Sequence, residues 1–150
     1  MSNYSLHAIP VFWLLIQLPH AYAVTLIKKS NNGKWDNVNA RGTGTVASYQ
    51  KVASAEVFAR FERAKAAHKN GLESAPFFIG AMIAGNLAGL PADTMNFAAG
   101  GFLALRILYT FVYINTTRQR YSYFRSFTWW VGSLLWLRIY WKAGNKLSAA

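Results

Sequence analysis

Apolar residues run almost without interruption from Ala8 to Ile27, AIPVFWLLIQLPHAYAVTLI, and none carries a formal charge when His20 is neutral. About 20 such residues in a helix cross a hydrocarbon core of about 30 Å, so the segment reads as a membrane span. It has no basic stretch before it and is too long for a cleaved leader, so it is expected to remain in the mature chain. Pro10 falls in its first turn, where a missing N–H costs little, while Pro19 in mid-span predicts a kink for neighbouring helices to accommodate. From Lys28 to about Val52 the pattern has neither a helical nor a strand period, and it reads as a loop of functional length. Helical periodicity resumes near Ala53. It is polar and basic at first and apolar from Ala75 to Leu90, with a bend expected at Pro76. A turn at Pro91-Ala92-Asp93, with Asp93 as the expected N-cap, opens a third span to about Asn115. A polar link, Thr116 to Tyr123, precedes a last span from Phe124 to Trp141, which Gly144 is expected to end. The expected architecture is therefore all-α and membrane-embedded, with spans at about 8–27, 74–90, 94–115 and 124–141 in one domain and a loop at about 28–52.

Charge changes the picture by fixing orientation. The 150 residues include 16 Lys and Arg against five Asp and Glu, a formal charge of +11, while 53% are hydrophobic and 16% aromatic. Strong basicity alone suggests a nucleic-acid binder. The cations, however, concentrate in two connections: Lys28, Lys29, Lys34, Arg41, Lys51, Arg60, Arg63, Lys65 and Lys69 between spans one and two, and Arg118 and Arg120 between three and four. The positive-inside rule makes those connections cytosolic and both termini non-cytosolic, which accounts for the charge without nucleic acid. Trp129, Trp130, Trp136 and Trp141 include the interfacial anchors expected of such a span. With no Cys in the chain, disulfide scaffolds, cysteine-ligated zinc and thiol catalysis by the protein itself are excluded. No Gly-rich phosphate loop, GxSxG elbow or two-histidine metal signature occurs, and no metal is expected.

Ionisable groups at membrane depth are costly and mark functional candidates. Arg63, Asn70 and Glu73 share a face of span two, which Phe77 extends. Arg106, Tyr109 and Tyr113 form one stripe of span three, and Arg125, Ser126 and Trp129 open span four. Glu73 and Arg106 are expected to pair, as site or as interhelical glue. Arg125 reads equally as a snorkelling interfacial residue. His68 reads as a surface histidine and His20 as a packed or interhelical hydrogen-bonding one.

In combination, ERAKAAHKNGLESAPFF (62–78), LRILYTFVYIN (105–115) and FRSFTWWVG (124–132) resemble the MAPEG family, the membrane-associated proteins in eicosanoid and glutathione metabolism, over about residue 56 to the end. The resemblance implies a four-helix bundle assembled as a homotrimer, in the endoplasmic reticulum membrane, with glutathione bound between subunits near the cytosolic surface. It implies that Arg63, Asn70, Glu73, Arg106, Tyr109 and Tyr113 hold glutathione and that Arg125 stabilises its thiolate. A lipophilic co-substrate would then enter from membrane lipid between spans one and four of adjacent subunits. The implied activity is transferase or peroxidase chemistry on a lipophilic electrophile or hydroperoxide. The alternatives are an isomerase or biosynthetic enzyme acting without glutathione, or a non-enzymatic lipid-binding member. Ala66 departs from the family pattern, since several glutathione-binding members carry Arg there. The interval from Tyr113 to Arg125 is a few residues longer than in the best-known members, and Trp129 stands where some carry Tyr.

Overall fold

The computed structural model describes residues 1–149 and contains five helices: α1 (Ala8–Ser30), α2 (Thr43–Val52), α3 (Ala55–Leu87), α4 (Ala92–Asn115) and α5 (Gln119–Ser148). α3 is the central element and packs against each of the other four. The segments read as spans coincide with the four long helices: α1, α4 and α5 run beyond the expected limits, while α3 begins well before residue 74 and stops at Leu87, short of the expected 90. α1 and α4 are long and apolar enough to cross a membrane, whereas Asn, Ser, Gly and charge dilute α3 and α5 below that mark.

α3 begins at Ser54, whose hydroxyl accepts the Val57 amide at 3.4 Å, with Glu56 in the first turn against the positive helix end. It ends in a Schellman arrangement: the Leu90 amide reaches the Gly85 carbonyl at 3.0 Å and the Gly89 amide that of Asn86 at 2.9 Å. Gly89 sits at φ +62, a left-handed conformation that strains residues bearing a Cβ. Pro91 then caps α4. Asp93 lies inside its first turn and is not the cap, correcting the expectation from the sequence. α5 starts earlier than Phe124 and continues through Gly144, because nothing there forces a left-handed turn.

Two apolar clusters stack along the bundle. The larger is centred on Phe12, Phe78 and Phe102 from α1, α3 and α4, with ring centroids 4.4 to 5.1 Å apart. Close approach of helices below it depends on Gly85, where a Cβ would lie 2.5 Å from Met95 Sδ and 2.8 Å from Ile139 Cγ2. The smaller cluster, Ala23, Ile27, Tyr49, Phe58, Phe61 and Ala64, lies at the basic end. The last turns of α1 therefore pack on the polar half of α3.

The stretch read as a loop over 28–52 holds α2 and is ordered by Asp36. Its carboxylate accepts the Val38 amide at 2.9 Å, the Asn39 amide at 3.1 Å and the Thr45 hydroxyl at 3.1 Å. The Asp36 amide donates to Tyr49 Oη, and the Trp35 ring stacks on Tyr49 at 5.0 Å. Those donors hold the Asp36 carboxyl below its ordinary pKa, the Asn39 amide most strongly and the Thr45 hydroxyl next. At the opposite end, Asn3 donates to Asn86 Oδ1 at 2.8 Å and Lys146 to the Gly89 carbonyl at 2.7 Å. Both ends of the chain thus meet the α3–α4 turn.

Candidate functional site

Antiparallel packing of α3 on α4, with α5 alongside, brings Asn70 and Glu73 to face Tyr109, Tyr113 and Arg125 across a cleft of about 410 Å³. Ser126, Trp129 and Trp130 from the third and fourth turns of α5 complete its wall, the two indoles meeting edge to face at 5.1 Å.

Behind the cleft lies Arg106, only 6% exposed. Its Nη1 donates to Asn70 Oδ1 at 2.8 Å and its Nη2 to the Ala67 carbonyl at 3.2 Å. The expected Glu73–Arg106 pair does not form. The Glu73 side chain is 60% exposed and approaches Lys69 at 3.9 Å. An exposed pair of this spacing is worth about 0.3–0.5 kcal/mol, so solvent satisfies Glu73 and its carboxylate stays available to a ligand. Arg106, buried one turn back, is satisfied by neutral oxygens and holds the Asn70 amide in place.

Cations and rings alternate along one wall. The Arg106 guanidinium stands 4.7 Å from the Tyr109 ring centre, Tyr109 and Tyr113 meet at 5.5 Å, and Arg125 lies 4.2 Å over Tyr113. Each cation–π contact contributes about 0.5–2 kcal/mol. Arg125 is thereby positioned on the cleft.

Two predicted residues fall outside the cleft lining. Arg106 supports it from behind. Arg63 Nε donates to the Ile114 carbonyl at 2.8 Å, satisfying one of the carbonyls that the end of α4 leaves open. Ala66 lines the cleft without adding charge, while Lys69 and Trp130 line it although neither stood out as a site residue in the sequence. The signal for Lys69 was its place four residues before Glu73. His68 is buried, and its Nδ1 donates to the Ile16 carbonyl at 2.8 Å, beside the gap that Pro19 leaves in the α1 ladder. The expectation of a surface histidine is corrected: the Ile16 carbonyl supplies the acceptor that makes burial tolerable. Among the described residues no cluster of His, Asp and Glu is arranged to hold a metal ion.

The described residues are all-helical, with two apolar helices of spanning length and a polar cleft beside them, an arrangement suited to a membrane-embedded helical bundle. The family model described as the MAPEG family matches residues 6–145, and the chain belongs to that family. It is thus a membrane protein of a family tied to glutathione and eicosanoid metabolism, one that includes glutathione transferases and other enzymes. Comparison with curated proteins and with solved structures gave no match.

Proposed function

We propose that the protein is a glutathione-dependent transferase or peroxidase that activates the glutathione thiol for attack on a lipophilic electrophile or hydroperoxide. The observation that carries this reading is the donor set of the cleft. Glutathione presents two carboxylates, an ammonium, two amides and a thiol. The cleft offers the Arg125 and Lys69 cations, the Glu73 carboxylate, the Asn70 amide and the phenols of Tyr109 and Tyr113. With Arg125 reserved for the thiol, Lys69 would meet one carboxylate and Glu73 the ammonium, leaving Asn70 and the two phenols as hydrogen-bonding partners for the amides and the second carboxylate. Glutathione supplies a nucleophilic sulfur, which a chain without Cys lacks.

Arg125 is the proposed catalytic residue. A guanidinium fixed beside a thiol favours its ionised form and raises the thiolate fraction at neutral pH. Tyr113 keeps that guanidinium from collapsing onto solvent, and Glu73 and Asn70 anchor the polar end of the tripeptide. Arg106 acts through Asn70 as a positioning residue. Trp129 and Trp130 form the apolar side against which a lipophilic partner would lie. Assembly as a homotrimer, residence in the endoplasmic reticulum, non-cytosolic termini and a cytosolic basic end belong to the same proposal.

The test is conjugation of a general aryl-halide electrophile by purified protein in detergent. Wild type is expected to turn over with glutathione, Glu73→Ala to bind glutathione more weakly and Arg125→Ala to bind but lose at least tenfold in rate. Ala66 favours a second reading, an isomerase or biosynthetic enzyme on the same scaffold, since it puts no cation at its own position of the cleft. Absence of glutathione binding by wild type would select that reading over the first.

A further inference from the structure

A second basic pocket shares no lining residue with the cleft. It is a hollow of about 660 Å³ formed by α1 and the segment after it, lined by His20, Lys28, Lys34, Trp35 and Asn37 among others. Lys65 of α3 enters from the side, its Nζ 3.4 Å from His20 Nδ1. An ammonium has only donors, so His20 Nδ1 accepts, the imidazole is neutral, and its proton sits on Nε2 as a further donor. Arg41 stands within electrostatic range of both His20 and Lys65.

Among the described residues, no carboxylate pairs with these cations. Asp36 is nearest in sequence, but its oxygens are occupied by Val38, Asn39 and Thr45. Glu56 approaches Arg60 and Glu73 approaches Lys69. Asp93 opens α4 at the far end of the bundle, and Glu62 is exposed without a cation inside 4 Å. Like charges held together by three separate elements are repulsive unless an anion joins them. The hollow also sits where α1 passes from its apolar stretch to its basic last turn, Lys28 and Lys29.

We infer that this pocket is a phosphate-binding site, taking a terminal phosphate group either as the phosphomonoester of a lipid headgroup or as free phosphate. A phosphomonoester carries about −1.5 to −2 charges and three acceptor oxygens near neutral pH. That matches several lysine point charges arriving from different directions. The indole of Trp35, stacked on Tyr49, gives the hollow a rigid wall.

The test uses full-length protein in two formats: inorganic phosphate titrated into the detergent-solubilised protein, and native mass spectrometry from nanodiscs of phosphatidylcholine with or without phosphatidic acid. Binding in at least one format is expected, falling tenfold or more in Lys28→Gln/Lys34→Gln and in Lys65→Gln. A Lys51→Gln/Arg120→Gln variant, which removes the same charge at the same end, is expected to bind like wild type. Retained phosphatidic acid without phosphate binding assigns the site to lipid, and the reverse assigns it to a soluble phosphate. Equal losses in the control variant, no binding in either format, or displacement of phosphate by glutathione would each overturn a separate site. Glutathione binding measured on the same samples keeps this outcome distinct from that of the Arg125 cleft.

Discussion

Asn70 is the residue on which fold and site meet. It neutralises no charge, yet it is the side-chain acceptor for a buried guanidinium. Asn70→Ala would leave Arg106 short of a partner, and a hydrogen bond to a charged group contributes about 1.5–3 kcal/mol. A loss of that size is expected in unfolding measurements in detergent. Arg106→Leu should cost less, since an unpaired cation is removed along with the bond. The double variant should fall short of the summed losses; simple additivity would show that the two side chains do not interact. Asp36 tests a different bond set. Its folded-state pKa is depressed, so the order it gives the 36–45 segment is complete above the ordinary carboxylate range and is lost as pH falls through the lower, folded value. Carboxyl NMR should place its midpoint below that of a free aspartate. An unshifted midpoint would contradict the ordering role.

At the scale of elements, α3 is held to α4 and α5 by the absence of a side chain at Gly85. Gly85→Val would drive a branched group into Met95 and Ile139. Overpacking of this kind costs about 1–3 kcal/mol, readable as a lower unfolding midpoint with the other helices intact. The long helices were legible in the sequence because a spanning apolar run has few alternatives, and Asn70 with Glu73 and Tyr109 with Tyr113 were legible because their spacings put each pair on one helix face, whereas Arg125 was singled out by the family resemblance. What pairs with what was not. Periodicity fixes faces but not depth, so Glu73 seemed to need Arg106 although the cleft rim leaves it hydrated. α2 escaped notice because ten residues rich in Gly, Thr and Ser carry little periodic signal. Its helix is held by Tyr49 against Trp35 and by Thr45 on Asp36, contacts made across a loop. Arg63 carried the right spacing for the cleft, but the open carbonyl of Ile114 lay nearer.

For the whole molecule, membership in the MAPEG family joins a membrane bundle to glutathione and eicosanoid metabolism. Exposed apolar residues such as Trp13, Leu14, Phe97, Phe111, Phe127 and Trp141 lie on helices that must face lipid or other subunits. A homotrimer is the proposed assembly, and native mass measurement in mild detergent should give three times the monomer mass of 16.8 kDa; a monomer would contradict it. The central claim concerns chemistry in the Arg125 cleft. The most direct measurement is the ultraviolet thiolate absorbance that appears when glutathione is added to purified protein at neutral pH. Wild type should develop it on binding, and Arg125→Ala should bind glutathione while failing to develop it. Wild-type protein that gives no thiolate signal, or an Arg125→Ala signal equal to wild type, would contradict the claim.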